Sequence, residues 1–299
     1  MNLNKLFPRT EEFERFIFPA RQRPAFWRFI LGILLTFAIF IGLLFCGGML
    51  IAKFASFSFQ ENYFSDYRGL TRTSLTIDLL FFAGILIALL IIVPLFHRRS
   101  FLGLIGPFSQ TVKDFRLAAC GFGTVYLLGL PLLLFIDTVP HEPFLSVLMF
   151  LPVVIPLLLI QTGAEELLFR GYVIQQLAAR FNSPWIWLIL PSALFGILHY
   201  DPDIPTLNAV TIILSITLTG ILWSDLVRMT GNIGAALGWH FANNFLAMNI
   251  VGFNDTFNGF AWRLLPYGYA DAPFYVFVMD PVFALITWAV LRRFLNNRS

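Results

Sequence analysis

Long apolar stretches alternate with short polar stretches along most of the chain. Several of them exceed the roughly 18 residues that allow a helix to cross the hydrocarbon core of a bilayer. This pattern predicts an all-α fold, a polytopic membrane protein built as a bundle of about eight transmembrane helices. The predicted segments are Trp27–Ala52, Leu75–Phe96, Leu117–Ile136, Phe144–Gln161, Pro184–Tyr200, Leu207–Val227, Asn232–Ile250 and Phe274–Leu291.

The composition supports a membrane protein. Of the 299 residues, 58% are hydrophobic and only 12% are charged. A typical soluble domain carries about 25% charged residues, which excludes that class. We predict a single intramembrane domain over residues 27–299. Residues 1–26 form an N-terminal arm that mixes aromatic residues with arginines, and two interpretations are open: it lies on an anionic membrane surface, or it is a solvated and partly ordered tail.

Basic residues indicate the orientation, because cytoplasmic loops of membrane proteins are enriched in lysine and arginine. Sixteen of the 20 fall on the side of the N-terminal arm. The four on the other side are Lys53, Arg68, Arg72 and Arg263. We expect both termini in the cytoplasm, with the chain in the inner (plasma) membrane of a bacterium. The bias accounts for the pI near 9.0, so nucleic acid is not an expected partner.

The fourth segment runs into TGAEELLFRGY, Thr162 to Tyr172, which places three ionisable groups where the sequence otherwise predicts membrane. Each costs roughly 2.5–3.5 kcal/mol in a bilayer, so it must face a partner or a cavity. On a helix Glu166 and Arg170 share a face and pair, whereas Glu165 has Phe169 at i+4 and points elsewhere. Glu165 is then free to act as an acid or base. Alternatively, both glutamates only bind Arg170 at a helix end.

Two of the four histidines lie inside apolar segments, His199 in FGILH and His240 in HFANN. Helical spacing puts the ring of Phe195 beside His199 and the amide of Asn244 beside His240. An amide next to an imidazole suits the stabilisation of an oxyanion. Asn243 lies close to the same face, so spacing alone does not choose between the two asparagines. The other histidines, interpreted as surface residues, are His97 and His141.

Three motifs occur in order on separate predicted helices: EELLFR fits EExxxR, FGILH fits FxxxH and HFANN fits HxxxN. In this order they resemble the CAAX protease and bacteriocin-processing (CPBP, or Abi) family, which includes the Ras-converting CAAX prenyl endopeptidase. The resemblance covers a motif core at about residues 156–250. It implies an eight-helix intramembrane endopeptidase that cleaves a membrane-associated or CAAX-like protein or peptide. Its implied partners are that substrate and membrane lipid.

The resemblance also implies a role for each motif residue. The first glutamate activates water, and the second glutamate and the arginine support it. The residues are the water-activating Glu165, the supporting Glu166 and Arg170, the aromatic Phe195, the active-site histidines His199 and His240, and Asn244, which stabilises the oxyanion together with His240.

The main prediction, a glutamate-dependent protease, needs no cofactor, because no HExxH pair supplies two zinc ligands from one helix. Three alternatives to it are open. In a zinc-dependent form of the same protease, Glu165, His199 and His240 would be the two-histidine, one-carboxylate ligand set. The chain could otherwise be a non-catalytic membrane scaffold or regulator that keeps the fold. A transporter or proton channel is the third alternative, since membrane Glu and His chains also relay protons.

The predicted spans conflict with this chemistry at one point. They place Glu165 toward the cytoplasmic side, His240 near the middle of the membrane and His199 toward the outer side. Catalysis needs the three within a few ångströms of one another. We therefore expect segment four, which has no clear stop before Arg180, to be longer and shifted outward, or segment five to begin later than Pro184.

Overall fold

The computed structural model describes residues 3–56, 59–60, 63, 69–133 and 137–296. Regular structure within these residues is almost entirely helical, as predicted. The helices are α1 Leu3–Leu6, α2 Glu11–Arg21, α3 Phe26–Phe54, α4 Arg72–Phe81, α5 Ala83–His97, α6 Phe108–Leu133, α7 Phe144–Glu166, α8 Ile174–Ala178, α9 Leu190–Ile197, α10 Thr206–Thr230, α11 Gly234–Asn249 and α12 Phe274–Asn296. Arg68 and Ile136, which the predictions name, lie outside the described ranges, as does Arg298, one of the sixteen basic residues counted on the side of the arm.

Five helical stretches of the described residues are long and apolar enough to cross a membrane. They are Phe26–Phe54, Arg72–His97, Phe144–Ala178, Thr206–Thr230 and Phe274–Asn296. Large apolar side chains such as Leu34, Phe45 and Met149 are exposed on their outer faces, as expected where hydrocarbon replaces water. The protein is an integral membrane protein. The predicted count of about eight spans is not confirmed, although the other three predicted segments are also helical, in α6, α9 and α11.

The helix of predicted segment four is longer than the apolar pattern indicates. It begins at Phe144, as predicted, and continues through a π-helical segment, Leu167–Val173, into α8. Segment five begins almost where predicted, with a π-helical segment at Trp185–Ile189 before α9. The expectation of a longer segment four is therefore correct, but the extension is toward the arm and not outward. Glu165 consequently lies inside a helix of 35 residues and not at its end.

The N-terminal arm packs against the bundle. The Thr10 side chain caps α2 by accepting a hydrogen bond from the Phe13 N–H (3.1 Å). Phe13 and Ile17 on the inner face of α2 are fully buried in the main core, and each contributes about 1.5–3 kcal/mol of apolar burial. Arg9 donates to the carbonyl oxygen of Ala178 (2.8 Å), at a helix C-terminus where a cation is favourable. The arm is thus part of the core, and the interpretation as a solvated tail is wrong.

His97 is not the surface residue that the sequence suggests. It is only 3% exposed, and its Nε2 lies 2.8 Å from the hydroxyl of Tyr172. A histidine followed by two arginines is typical of the end of a membrane span, where it would be exposed. In this protein, neighbouring segments cover His97. The prediction for His141 is confirmed, since that residue is exposed.

A small three-stranded sheet lies at the end of the bundle opposite the arm. Strand β1, Val139–Pro140, pairs antiparallel with β3, Arg263–Leu264, with Val139 opposite Leu264. Strand β3 pairs in parallel with β2, Val251–Gly252. The sheet joins the segment just before α7 to the segment between α11 and α12.

Helix α11 lies directly against α6. Gly234 and Gly238 face the backbone carbonyl oxygens of Thr111 and Phe115, and a Cβ atom at either glycine would overlap those oxygens. Glycines four residues apart allow helix backbones to approach this closely. The helix that carries the HxxxN motif is therefore fixed against α6.

Candidate functional site

The site begins where α7 passes into the π-helical segment. Glu165 and Glu166 are the last residues of α7, and Arg170 lies within the π-helical turns that follow. Widened turns of this kind are rare and occur frequently at functional sites. Glu166 and Arg170 are 0% and 1% exposed, so the polar end of the motif points into the protein and away from lipid.

Arg170 and Glu166 form the buried ion pair that their spacing predicts. Arg170 Nη1 lies 3.0 Å from Glu166 Oε1. The guanidinium also lies over the rings of Phe195 and Trp223, with Cζ 4.5 and 5.0 Å from their centroids. Cation–π contacts and the carboxylate together offset part of the cost of removing this charge from water. Phe195, which the spacing places beside His199, thus contacts Arg170 as well.

His240 connects the two glutamates. Its Nδ1 lies 2.9 Å from Glu166 Oε1, and its ring stacks on Trp223 at a centroid distance of 4.5 Å. A carboxylate can only accept a hydrogen bond, so Nδ1 must carry the proton. Nε2 is then directed to the opposite side, where it lies 3.5 Å from Glu165 Oε2.

Glu165 differs from its neighbour in its surroundings. Its Oε2 atom is buried and has no hydrogen-bond partner in the described part of the chain, although His240 Nε2 is 3.5 Å away. Glu166 Oε2 is also buried without a partner among the described residues, but Glu166 Oε1 accepts from both Arg170 and His240. The separation predicted from the helix spacing is therefore present: Glu166 accepts two hydrogen bonds through one oxygen, whereas Glu165 accepts none from the described residues. The catalytic role of Glu165 stays a prediction.

Asn244 lies one helical turn beyond His240 and completes this side of the site. Its Nδ2 is 3.3 Å from His240 Nε2 and donates to Gln161 Oε1 at 2.8 Å. Asn243 contacts the site only through Asn244, donating to its Oδ1 at 3.2 Å. The structure thus favours Asn244 over Asn243 as the amide beside the imidazole, a choice that spacing alone left open.

His199 stands apart from the other motif residues. Its Nδ1 lies 2.8 Å from the carbonyl oxygen of Phe195, and its ring is exposed at the end of α9. The Phe195 ring contacts both histidines, with its centroid 4.9 Å from that of His199 and 6.2 Å from that of His240. Within the described residues no hydrogen bond joins His199 to Glu165 or His240.

The zinc alternative requires three ligands in one place. His240 and Glu165 supply two donor atoms 3.5 Å apart, but the ring of His199 is turned to the Phe195 carbonyl. Among the described residues no three His, Cys, Asp or Glu side chains are placed to hold a metal ion. The residues present do not fit that ligand set, and the cofactor-free form stays a prediction.

Two residues of the site are missing from the sequence predictions. Gln161 precedes Glu165 by one helical turn, and this amide within an apolar run was an available signal. Trp223, which stacks on His240 and covers Arg170, comes from α10, and no motif marks that helix. Its position depends on packing, which local sequence does not reveal.

Comparison with known proteins agrees with the three motifs. Residues 146–246 match the family model described as type II CAAX prenyl endopeptidase Rce1-like. The uncharacterized protein YyaK of Bacillus subtilis (strain 168) is 28% identical over 263 residues, which cover 82% of this chain and 84% of YyaK. No solved structure matches the chain at a significant level. The matched segment contains EExxxR, FxxxH and HxxxN together, so over these residues the chain is similar to CAAX-type membrane proteases.

Proposed function

We propose that the protein is an intramembrane endopeptidase that hydrolyses a peptide bond with water activated by Glu165. One observation carries the proposal: Glu165 accepts no hydrogen bond from the described residues, and its buried Oε2 lies 3.5 Å from His240 Nε2. The same nitrogen lies 3.3 Å from the amide nitrogen of Asn244. Glu166, one residue on, is already engaged by Arg170 and His240. The pair of glutamates is thus divided into a supporting carboxylate and one available to a water molecule.

The charges of the site balance when His240 is protonated. Two carboxylates then face two cations, the guanidinium of Arg170 and the imidazolium of His240. In this state His240 donates Nδ1–H to Glu166 and presents Nε2–H on the side of Asn244 Nδ2. Two donors that converge in a region closed to bulk water stabilise developing negative charge effectively.

The proposed reaction is general-base hydrolysis of the peptide bond. Glu165 takes a proton from water while the water oxygen bonds to the scissile carbonyl carbon. The carbonyl oxygen becomes an oxyanion that accepts hydrogen bonds from His240 and Asn244. Glu165 then gives its proton to the departing nitrogen as the C–N bond breaks. We assign His199, an active-site histidine by the family resemblance, the part of helping Glu165 to take the proton from water.

The proposed substrate is a peptide segment at the membrane. The matched family is named for CAAX prenyl endopeptidases, so a prenylated CAAX peptide is the first substrate to test. Peptide precursors and membrane proteins without prenylation are the second class.

The experiment compares wild type with Glu165→Gln, using Glu12→Gln as a control at an exposed position of the arm. Cleavage is measured on the purified chain with prenylated and unprenylated peptides, and peptides and membrane proteins of cells carrying each variant are compared. We expect cleavage to be lost only in Glu165→Gln, with the folded protein still in the membrane. Equal cleavage by both variants would sink the protease assignment and favour a scaffold or regulator.

Metal analysis tests the cofactor-free form of the mechanism. The purified active chain is analysed for zinc, and activity is followed after treatment with a strong chelator. We expect less than stoichiometric zinc and unchanged activity. Stoichiometric zinc, with activity lost on stripping and restored by zinc, would contradict the glutamate-only mechanism.

We also propose that both termini face the cytoplasm, across the plasma membrane of a bacterium. The excess of lysine and arginine on the side of the arm supports this orientation. Single cysteines are placed at the exposed residues Lys5 and Asp271 in a chain whose Cys46 and Cys120 are replaced by serine. An impermeant thiol reagent should label position 271 in intact cells and position 5 only after the membrane is opened. The reverse pattern would overturn the orientation.

A further inference from the structure

Positive charge is concentrated at the end of the bundle where the arm lies. Three chain segments meet there: the start of α3, the turn after α5 and the turn after α8. We call their arginines the basic cluster: Arg23, Arg28, Arg98, Arg99 and Arg180. The ion pairs found among the described residues include none of these five. The cluster therefore has no acidic side chain in the described chain to balance it.

The three segments are bonded to one another, so the basic cluster is a built feature. Arg180 Nε donates to the carbonyl oxygen of Pro24 (2.8 Å), and Arg28 Nη1 to that of Phe96 (3.4 Å). Arg99 Nη1 donates to Gln175 Oε1 (2.6 Å). Backbone and amide acceptors hold the guanidinium groups in place but carry no negative charge.

Several donors of this region remain unused. Arg99 Nε and Nη2 and Arg28 Nε are buried and have no hydrogen-bond partner within the described residues, and the ring nitrogen His97 Nδ1 beside them has none either. His97 is 3% exposed, its other nitrogen is taken by Tyr172, and it lies within reach of the charges of Arg99, Arg180 and Arg28. Burial, and to a lesser degree the nearby charge of Arg180, lowers the pKa of Arg99 to about 10. Buried donors without acceptors are costly, which indicates a missing acceptor with negative charge.

We propose that the basic cluster binds a phosphate group, with Arg28 and Arg99 donating to its oxygens. A phosphate offers several acceptor oxygens, and planar guanidinium groups can bind it through paired hydrogen bonds. Basic pockets between transmembrane helices at the level of the headgroups bind anionic lipids in this way. The same chemistry is offered by a lipid headgroup and by free phosphate, and the two sources are separable by experiment.

An occupied cluster would act on the helix that carries the two glutamates. Tyr172 lies in the π-helical segment two residues after Arg170 and contacts His97. Gln175, in α8, is bonded both to Arg99 and, through Nε2, to the Gly103 carbonyl oxygen (2.9 Å). A bound phosphate would therefore fix the inner end of the motif helix and raise the thermal stability of the whole chain.

The test uses the full chain purified in detergent. Binding of phosphatidylglycerol and phosphatidylcholine with identical acyl chains is compared by native mass spectrometry, and unfolding is followed with and without millimolar inorganic phosphate. We expect at least tenfold tighter binding of phosphatidylglycerol by wild type. Arg99→Gln should weaken that binding about tenfold, or about 1.4 kcal/mol. Arg15→Gln is the matched control, because Arg15 is exposed and paired with Glu11, and it should bind as wild type does.

The outcomes separate the two sources and can refute the proposal. Stabilisation by inorganic phosphate without preference between the lipids supports a phosphate site filled from solution. Preference for phosphatidylglycerol without a phosphate effect supports a lipid headgroup. No preference and no effect of phosphate in wild type overturns the proposal, as does an Arg99→Gln variant that binds as tightly as Arg15→Gln. If Arg99→Gln does not fold, the wild-type comparison and Arg28→Gln decide.

Discussion

Replacing Arg170 with methionine should destabilise the protein strongly. The substitution leaves the carboxylate of Glu166 fully buried without the guanidinium that pairs with it at 3.0 Å. It also removes the cation from between the rings of Phe195 and Trp223. Breaking a buried ion pair by removing one partner costs about 3–5 kcal/mol. If the chain unfolds cooperatively, this corresponds to a fall in Tm of about 5–8 °C.

The assay is thermal unfolding of each variant in the same detergent, with cleavage measured in parallel. The double variant Glu166→Gln with Arg170→Met removes both charges, so it should regain at least half of the lost stability, because no uncompensated charge remains. Glu165→Gln should unfold within about 1 °C of wild type, since the Glu165 carboxylate makes no hydrogen bond through Oε2. The double variant should not regain full activity, because His240 loses the carboxylate that orients it.

Two results would refute this reasoning. An Arg170→Met variant as stable as wild type would show that Glu166 does not depend on the arginine. A double variant no more stable than Arg170→Met would show that the loss comes from packing against the two rings and not from a stranded charge.

Two further predictions concern the oxyanion and the arm. Asn244→Ala should lower kcat about 100-fold or more, as the loss of one oxyanion donor does in other hydrolytic enzymes. Asn243→Ala should lower kcat far less. Equal losses in steady-state cleavage assays would contradict the assignment of Asn244 as the oxyanion donor. Phe13→Ala should cost about 3–5 kcal/mol of stability, because the Phe13 ring is fully buried with its centroid 4.8 Å from that of Trp187. Phe18→Ala, at a 58% exposed position, should cost less than about 1 kcal/mol. Similar unfolding temperatures for the two variants would show that the arm is not part of the core.

The sequence predicts the helical membrane fold and most of the site, because both depend on local pattern. Apolar length marks the spans, and the spacing of Glu166 and Arg170 predicts their pair. The features that the sequence does not predict depend on tertiary packing. The motif looks like the end of a span since polar residues usually mark the membrane surface, yet here protein surrounds them. Trp223 lies on a helix without a motif, and His97 is buried by segments distant in sequence.

The part that His199 plays at the site stays a prediction. The motif pattern predicts that it joins Glu165 and His240, but a motif specifies residue types and order, not the direction of each side chain. In the structure the ring of Phe195 contacts the rings of both histidines.

The close contact between α6 and α11 restricts how a substrate can reach the site from the lipid. Gly234 and Gly238 bring the two backbones together with no room for a side chain between them. An extended peptide is wider than that gap, so it cannot slide between these helices to reach His240. The entry path must open on another side of the bundle. A search for a lateral gate should therefore begin at α9, where His199 is exposed, and treat the wall formed by α6 and α11 as fixed during turnover.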